Sequence, residues 1–320
     1  MGSRITLSTR PRGGLSRRHS MATTSPHTEA TPATQIAPDT SVGTVRLNVT
    51  DLDRSRAFYE RAIGLRPTEL DDGTLALGAD GERPLIELRG DSAAPRLNRR
   101  APGLYHLAIL VPTRLDLAFA LGRLAEARFP LDGASDHLVS EALYLSDPDG
   151  NGIEIYRDRP RAEWPRSGDQ LQMPTLPLGL DDVIGELRAA TELQANVPSG
   201  TKIGHVHLQV SDLRDAEAFY HGVLGFDVMV RGYPGALFVS AGGYHHHIGL
   251  NTWHSAGGAP APEGSVGLRS FEIELPDERA LEAVLARIDA ASISSTRRPD
   301  GALVRDPFGN GVVLRTRAPA

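Results

Sequence analysis

Histidine and carboxylate side chains are the groups through which this chain could hold a transition metal. The sequence has 11 histidines and no cysteine, which excludes thiolate zinc sites, iron–sulfur clusters, disulfides and cysteine nucleophiles. His205 and His207 have the spacing that puts two side chains on one face of a strand, and residues 245–247 are three consecutive histidines. Imidazole and carboxylate ligands without thiolate suit Fe, Mn, Ni, Co or Zn. The sequence therefore indicates chemistry at a divalent metal.

Length and charge restrict the partners. A chain of 320 residues with 40% hydrophobic content is long enough for two domains with real cores. Its formal charge of −6 lacks the excess of Lys and Arg that nucleic acid or an anionic membrane requires. No apolar run approaches the roughly 18 residues of a membrane span. We expect a soluble, cytoplasmic protein that binds neither nucleic acid nor membranes. The sequence leaves open whether it forms a homo-oligomer.

Residues 1–42 have a composition poorly suited to a core. They contain many Ser and Thr, several Arg, no Lys and only two acidic residues, and they lack the apolar stretch of a secretory signal. We predict that this segment is disordered. The sequence leaves open whether Met1 or Met21 is the true start.

An internal repeat defines the organisation. Residues 45–52 return as residues 206–213, and Ala57-Phe58-Tyr59 returns as Ala218-Phe219-Tyr220, at an offset of 161 in both cases. Each copy begins with an alternating apolar stretch and continues through Asp-Leu into a helical pattern, which predicts a strand followed by a helix. The Phe and Tyr of each helix are predicted to be core residues.

A weaker echo lies inside each half. Residues 104–112 resemble residues 268–276, so four strand–helix starts are present. Each half ends with a hairpin sequence, Asp-Pro-Asp-Gly-Asn-Gly at 147–152 and Asp-Pro-Phe-Gly-Asn-Gly at 306–311. Residues 159–200, rich in Pro, Gly and Asp, are predicted to be a connector with one short helical segment.

These phrases together resemble a known superfamily. HVHLQVSDLRDAEAFYHGVLGF, YHLAIL, SDHLVSEALYLSDPDGNGIEIY and DPFGN look like the vicinal oxygen chelate superfamily of glyoxalases, bleomycin resistance proteins and extradiol dioxygenases. Within it the chain is most similar to two-domain catechol 2,3-dioxygenase-like proteins. The resemblance implies an α+β fold of four βαβββ modules in two tandem domains, residues 43–158 and 201–318, around a divalent metal.

The resemblance also implies which residues bind that metal. Modules two and three have candidates where the family places ligands: His106 and Glu154 in module two, and His205 in module three, together with the histidine run 245–247, which we assign to the last strand of module three. Modules one and four do not, since they have residues such as Ser270 and Val313 there. We therefore expect modules two and three to pair and share one metal, for which we favour Fe(II), with Mn, Ni, Zn or Co as alternatives.

Further residues are candidates for chemistry around that metal. From the histidine run we favour His247, either as a fourth ligand or as the general acid/base, a role for which a neutral imidazole is suited. His137 and His207 are further catalytic candidates. The predicted substrate-binding residues are His245, Asn251, Trp253 and Tyr144.

Three functions are compatible with these residues. The leading one is an extradiol ring-cleaving dioxygenase that acts on a catechol or hydroquinone-like diol and dioxygen. The second is a glyoxalase-like isomerase or lyase, for which four protein ligands around Ni or Zn are expected. The third is a binding or resistance protein without turnover. Three ligands favour the first function and four favour the second.

Overall fold

The computed structural model describes residues 35–80, 83–168, 170–190, 192–298 and 301–317. The predicted disorder of residues 1–34 lies outside this part of the chain. No helix among the described residues is long and apolar enough to cross a membrane.

The first half of the chain contains two modules of the same element order. Module one comprises β1 (Ser41–Val49), α1 (Leu52–Phe58), β2 (Arg66–Glu69), β3 (Leu75–Gly78) and β4 (Pro84–Gly90). Module two comprises β5 (Gly103–Leu110), α2 (Arg114–Glu126), β6 (Gly133–Asp136), β7 (Ser140–Ser146) and β8 (Gly152–Asp158). The connector comprises a 3₁₀ turn (Arg161–Glu163), β9 (Arg166–Ser167), β10 (Gln170–Leu171), β11 (Leu176–Pro177), α3 (Leu180–Gly185) and a second 3₁₀ turn (Glu186–Ala189).

The second half repeats this order, and the prediction of four βαβββ modules is confirmed. Module three comprises β12 (Lys202–Gln209), α4 (Leu213–Glu217), β13 (Asp227–Val230), β14 (Ala236–Ser240) and β15 (Ile248–Asn251). Module four comprises β16 (Gly267–Leu275), α5 (Glu278–Ala290), β17 (Ser295–Arg298), β18 (Gly301–Arg305) and β19 (Gly311–Thr316).

The modules pair between the two halves of the chain. Module one joins module four in a sheet of order β17-β18-β19-β16-β1-β4-β3-β2. Module two joins module three in a sheet of order β11-β6-β7-β8-β5-β12-β15-β14-β13, whose central contact is the antiparallel pair β5 and β12. The predicted pairing of the two central modules is therefore confirmed. β11 of the connector extends the same sheet at its edge.

The central strand β12 is buried on both of its faces, and this burial fixes the direction of its two histidines. Every residue of β12 after Lys202 is buried. Val206 and Leu208 belong to the main hydrophobic core. Because side chains alternate along a strand, His205 and His207 face the opposite side of the sheet. The apolar residues thus hold the two imidazoles on the concave face.

The repeated helices of modules one and three start and end in the same way. Asp51 caps α1 by accepting a hydrogen bond from the Arg54 N–H, and Asp212 caps α4 likewise. Each helix continues into a π-helical turn, at Tyr59–Ile63 and Ala218–Val223. The four repeated aromatic residues are at most 6% exposed, as predicted for a core: Phe58, Tyr59, Phe219 and Tyr220.

Two equivalent hydrogen bonds tie the two sheets together. The Tyr59 hydroxyl of module one donates to Asp147 of module two at 3.1 Å, and the Tyr220 hydroxyl of module three donates to Asp306 of module four at 2.9 Å. Each aspartate also accepts hydrogen bonds from the Asn of its own Asp-Pro-x-Gly-Asn turn. The two repeated sequence motifs therefore contact each other: the Tyr of Ala-Phe-Tyr donates to the Asp of Asp-Pro-x-Gly-Asn.

The structure corrects two sequence-based expectations. Residues 35–42 are not disordered, because Ile36 is 5% exposed in the main core and its N–H donates to the Gly225 carbonyl at 2.9 Å. The histidine run 245–247 does not belong to a strand. It lies in the loop between β14 and β15, after a turn in which Gly242 and Gly243 have positive φ.

We predict that the Tyr220–Asp306 contact stabilises the folded chain. Tyr220→Phe leaves a buried carboxylate oxygen with one donor fewer, so the free energy of unfolding should fall by about 1–3 kcal/mol. Urea unfolding of Y220F, D306N and the double variant measures the contact as a coupling energy. Additive effects of the two substitutions would show that the contact contributes nothing.

Candidate metal centre

Three potential metal ligands converge on the concave face of the central sheet. In the strand register, Ala108 of β5 lies opposite Glu154 of the parallel strand β8 and opposite His205 of the antiparallel strand β12. His106 is two residues from Ala108 and so shares its face. Ala108 is fully buried, and its methyl group leaves the space above it to the three larger side chains. We call His106, Glu154 and His205 the ligand cluster.

The distances within the ligand cluster are short. Glu154 Oε2 lies 3.0 Å from His106 Nε2 and 3.1 Å from His205 Nε2. One potential ligand atom from each residue falls within 4.8 Å of the others, and no other such group of three or more occurs among the described residues. All three residues are at most 7% exposed. The cluster is a buried site with three possible protein ligands.

Electrostatics keep the ligand cluster ready to bind a cation. Burial alone would raise the pKa of Glu154, but His205 and His106 hold that pKa well below its ordinary value. Burial lowers the pKa of His205 to about 4, against the opposing effect of Glu154. At neutral pH the carboxylate is therefore ionised and His205 is neutral, which are the forms that coordinate metals.

The donor set fits a divalent metal. His106 Nε2 is buried and has no hydrogen-bond partner among the described residues, although it points at the same oxygen as His205 Nε2. Two imidazoles and one carboxylate without a thiolate suit Fe(II), Mn, Co, Ni or Zn. An ion between the three ligands would satisfy the unpartnered nitrogen.

A cavity of about 300 Å³ opens beside the ligand cluster, and we call it the central cavity. His106 and Glu154 form part of its wall. Its other polar lining groups are Ser135, His137, Ser140, Thr175, His207 and His246. Its aromatic and apolar lining groups are Tyr105, Val139, Tyr144, Met173, Tyr233, Phe238 and Trp253. The site can therefore take a small, flat, largely apolar molecule with a few polar groups.

His137 and Tyr144 form a hydrogen-bonded pair on one side of the central cavity. His137 Nδ1 lies 2.8 Å from the Pro174 carbonyl, which can only accept, so Nδ1 carries a proton. In the neutral ring, Nε2 then accepts from the Tyr144 hydroxyl at 2.8 Å. Burial, followed by the charge of Glu154, raises the pKa of Tyr144 well above its ordinary value. Tyr144 thus stays protonated and fixed in position.

A second chain of hydrogen bonds runs from the central cavity through the histidine run. The Asp158 carboxylate accepts from His245 Nε2 at 2.9 Å, and in the tautomer of His245 that carries this single ring proton Nδ1 has a lone pair. His246 Nδ1 then donates to that lone pair at 2.8 Å. His246 Nε2 is left as an acceptor, with no hydrogen-bond partner among the described residues. Asp158 therefore selects the tautomer of the histidine that lines the cavity.

The structure brings most of the predicted site residues together. His106, Glu154 and His205 form the ligand cluster. The predicted catalytic and substrate-binding residues that line the central cavity are His137, His207, Tyr144 and Trp253. Their chemical roles remain predictions.

Three predicted site residues are placed elsewhere. His247 Nδ1 accepts hydrogen bonds from the Ser240 hydroxyl at 3.0 Å and the Ala241 N–H at 3.2 Å, and its ring is not part of the ligand cluster or of the cavity lining. His245 is fully buried behind His246, and Asn251 is fully buried on β15. The structure therefore places His247 outside the ligand cluster and His245 and Asn251 outside the cavity lining, and the site that we propose does not include them.

Sequence analysis missed several lining residues. His246 is the member of the run that faces the central cavity, with its ring centroid 4.1 Å from that of His205. Strand alternation could not reveal this, because the run is a loop. Met173 and Thr175 belong to the connector, whose sequence carries no motif for a contact with the site. Tyr105, next to His106, was within reach of sequence reasoning.

The model of the Glyoxalase/Bleomycin resistance protein/Dioxygenase superfamily matches this chain twice, at residues 41–155 and 202–314. The chain belongs to this superfamily. A superfamily relative, the catechol-2,3-dioxygenase of Bacillus subtilis (strain 168), is 44% identical to it over 284 residues, which cover 88% of this chain and 98% of the relative. The family recognised in the sequence is thus confirmed.

Solved structures agree on the superfamily fold. A putative dioxygenase from Bacillus subtilis matches with a TM-score of 0.60 at 16% identity, over 90% of this chain and 87% of the other. Glyoxalase I from Zea mays matches with a TM-score of 0.52 at 17% identity, over 87% and 92%. At such identities these likenesses concern the fold alone.

We predict that His247 makes stability depend on pH. Burial, followed by the nearby His245 and His205, lowers its pKa to about 3. The unfolded chain takes up a proton near pH 6.5, so stability is full above that pH and is lost as the pH falls towards 3. Between pH 7.5 and 5.0 this histidine should remove about 2 kcal/mol.

Urea unfolding of the chelator-treated protein at the two pH values measures this loss. His247→Gln removes the titrating group, so the variant should lose less stability between pH 7.5 and 5.0 than the unsubstituted chain. Equal losses would mean that His247 is protonated as readily in the folded state as in the unfolded one.

Proposed function

We propose that this protein is a metal-dependent extradiol dioxygenase that cleaves the ring of a catechol or hydroquinone-like diol. Both atoms of dioxygen enter the product, and the ring bond beside a hydroxylated carbon breaks. The observation that carries the proposal is the three-ligand cluster in the wall of an aromatic-lined cavity. The activity printed for the 44% identical relative supports the same reaction.

His106, Glu154 and His205 would hold the metal, and we propose Fe(II). Bound there, Fe(II) would supply Lewis-acid and dioxygen chemistry to a diol in the central cavity. The described residues offer three ligands here and not four, which favours this reaction over the glyoxalase-like alternative.

The central cavity suits a single aromatic ring. Its volume of about 300 Å³ is at the lower end of the range for small-molecule sites. Tyr105 and Trp253 pack edge to face with ring centroids 5.3 Å apart, and His207 lies 5.4 Å from Trp253. These rings form a wall against which an aromatic ring can pack, and they exclude water from its faces.

The proton of a diol hydroxyl needs an acceptor, and we assign this role to His246. Burial, followed by His205 and His245, holds the pKa of His246 well below its ordinary value, so the ring is neutral at pH 7. Its free Nε2 is an acceptor on a ring that lines the central cavity. On the other side, the Tyr144 hydroxyl donates its proton to His137, so its oxygen can accept a hydrogen bond from a substrate hydroxyl and orient it.

Loading the protein with Fe(II) under anaerobic conditions and then adding 4-methylcatechol and air tests the proposed reaction. A yellow ring-fission product is expected. His106→Ala should lower the iron content and the activity at least tenfold, because it removes one of three ligands. His247→Gln is the matched control and should keep its iron.

Other outcomes of this experiment would contradict the proposal. Full iron content in H106A would refute the ligand assignment. An iron-loaded protein that changes the absorbance of no diol would favour an isomerase or a binding protein without turnover.

We predict that Asp158 acts on catalysis through the tautomer of His246. Asp158→Asn offers an amide that can donate to His245 Nε2, which would reverse both hydrogen bonds of the chain. The expected result is a kcat lower by about 10–100-fold with KM nearly unchanged, as for other residues that orient a catalytic group. Asp71→Asn, an exposed position on the other sheet's β2–β3 turn, is the control. Equal kcat values for D158N and D71N would show that Asp158 does not act on catalysis.

A further inference from the structure

The sheet of modules one and four has its own cavity, which we call the outer cavity. It has a volume of about 940 Å³ and is lined by side chains of β1, β4, β16 and β18 and by the loops that precede β5 and β16. It occupies the place that corresponds, through the internal repeat, to the central cavity of modules two and three. The two cavities can therefore be compared position by position.

The outer and central cavities have different side chains at the positions that the repeat makes equivalent. The repeat offset of 161 places Arg46 where module three has His207. The echo within each half places Arg269 where module two has Tyr105. An imidazole and an aromatic ring of the central cavity are thus replaced by guanidinium groups in the outer cavity. Among the described residues no group of metal ligands forms there.

Two glutamates hold the guanidinium of Arg46 in a fixed position through two of its three nitrogens. Its Nε donates to Glu87 at 2.7 Å and its Nη2 donates to Glu272 at 2.8 Å. Its Nη1 is buried and has no hydrogen-bond partner among the described residues. The two glutamates therefore fix the Arg46 guanidinium in position in the wall of the outer cavity.

Two further arginines of the outer cavity, Arg89 and Arg269, are available to bind a ligand. Arg89 and Arg269 line the cavity, and their guanidinium groups have no hydrogen bond or ion pair to any residue that the structure describes. Burial lowers the pKa of Arg269, and the neighbouring Arg89 and Arg46 lower it further, so the three positive charges lie close together. Converging like charges in a cavity are stabilised when an anion binds between them.

The remaining lining restricts the anion. Four carboxylates also line the outer cavity: Asp72, Glu87, Asp91 and Glu263. With Arg298 and Arg305 the lining has five arginines, so its formal charge is 5 − 4 = +1, which opposes a multiply charged ligand. Apolar walls are provided by Leu97, Leu104, Val266, Leu268, Leu303 and Phe308. Guanidinium groups bind planar carboxylates through paired N–H donors. The lining therefore favours one negative charge on an apolar molecule.

We propose that the outer cavity binds a small organic molecule that carries one carboxylate on an apolar body. Arg89 and Arg269 hold the carboxylate, and the fixed guanidinium of Arg46 adds a third positive charge beside them. This binding site is separate from the ligand cluster and does not depend on the reaction proposed for the central cavity.

Isothermal titration calorimetry of the metal-loaded chain with benzoate tests this site. Benzoate should bind, and the double variant Arg89→Gln/Arg269→Gln should weaken its binding at least tenfold, because both charged donors are lost. Neither side chain makes a hydrogen bond to a residue that the structure describes, so the double variant should keep the Tm of the unsubstituted chain. Arg214→Gln, whose side chain is 94% exposed, is the matched control and should bind normally.

Further arms separate this site from the central cavity and define the ligand class. Benzoate binding should persist in H106A, since that variant changes only the ligand cluster. Benzyl alcohol and inorganic phosphate should each bind at least tenfold more weakly than benzoate. Unchanged benzoate affinity in the double variant, loss of binding in H106A, or equal affinity for either other compound would overturn the proposal.

Discussion

The antiparallel pairing of β5 with β12 is the constraint on which the site depends. These strands come from different halves of the chain, and their register sets His205 opposite Ala108. The parallel partner β8 sets Glu154 opposite the same alanine. A slip of one residue in either pairing would turn a ligand to the other face of the sheet. The apolar residues of β12 prevent such a slip, because they would have to leave the core.

The fold and the ligand cluster could be predicted because both follow from periodic patterns. The repeat revealed four modules, and histidines at matched positions of two of them indicated which modules pair. The histidine run was misread because alternation holds only within strands, and Gly242 and Gly243 end the strand before the run begins. Contacts between distant segments, such as His245 with Asp158 or His137 with Pro174, leave no trace in local sequence.

The two sheets show how one scaffold supports two kinds of cavity. The Tyr–Asp contacts that join the sheets are the same in both halves, whereas the concave faces differ. One face carries imidazoles around a carboxylate, and the other carries guanidinium groups among several carboxylates. Because the concave side chains do not belong to the main core, they could diverge without loss of the strand pairing.

Thr175, Met173 and Pro174 lie on the connector, outside the four modules, yet they touch the central cavity or its His137. A continuous stretch of chain thus forms one wall of the central cavity and contains no residue of the ligand cluster. Substitutions in this stretch alone can reshape the space around a ring's substituents and leave coordination intact. Relatives could in this way acquire new substrate preferences one loop at a time, with the reactive centre inherited unchanged.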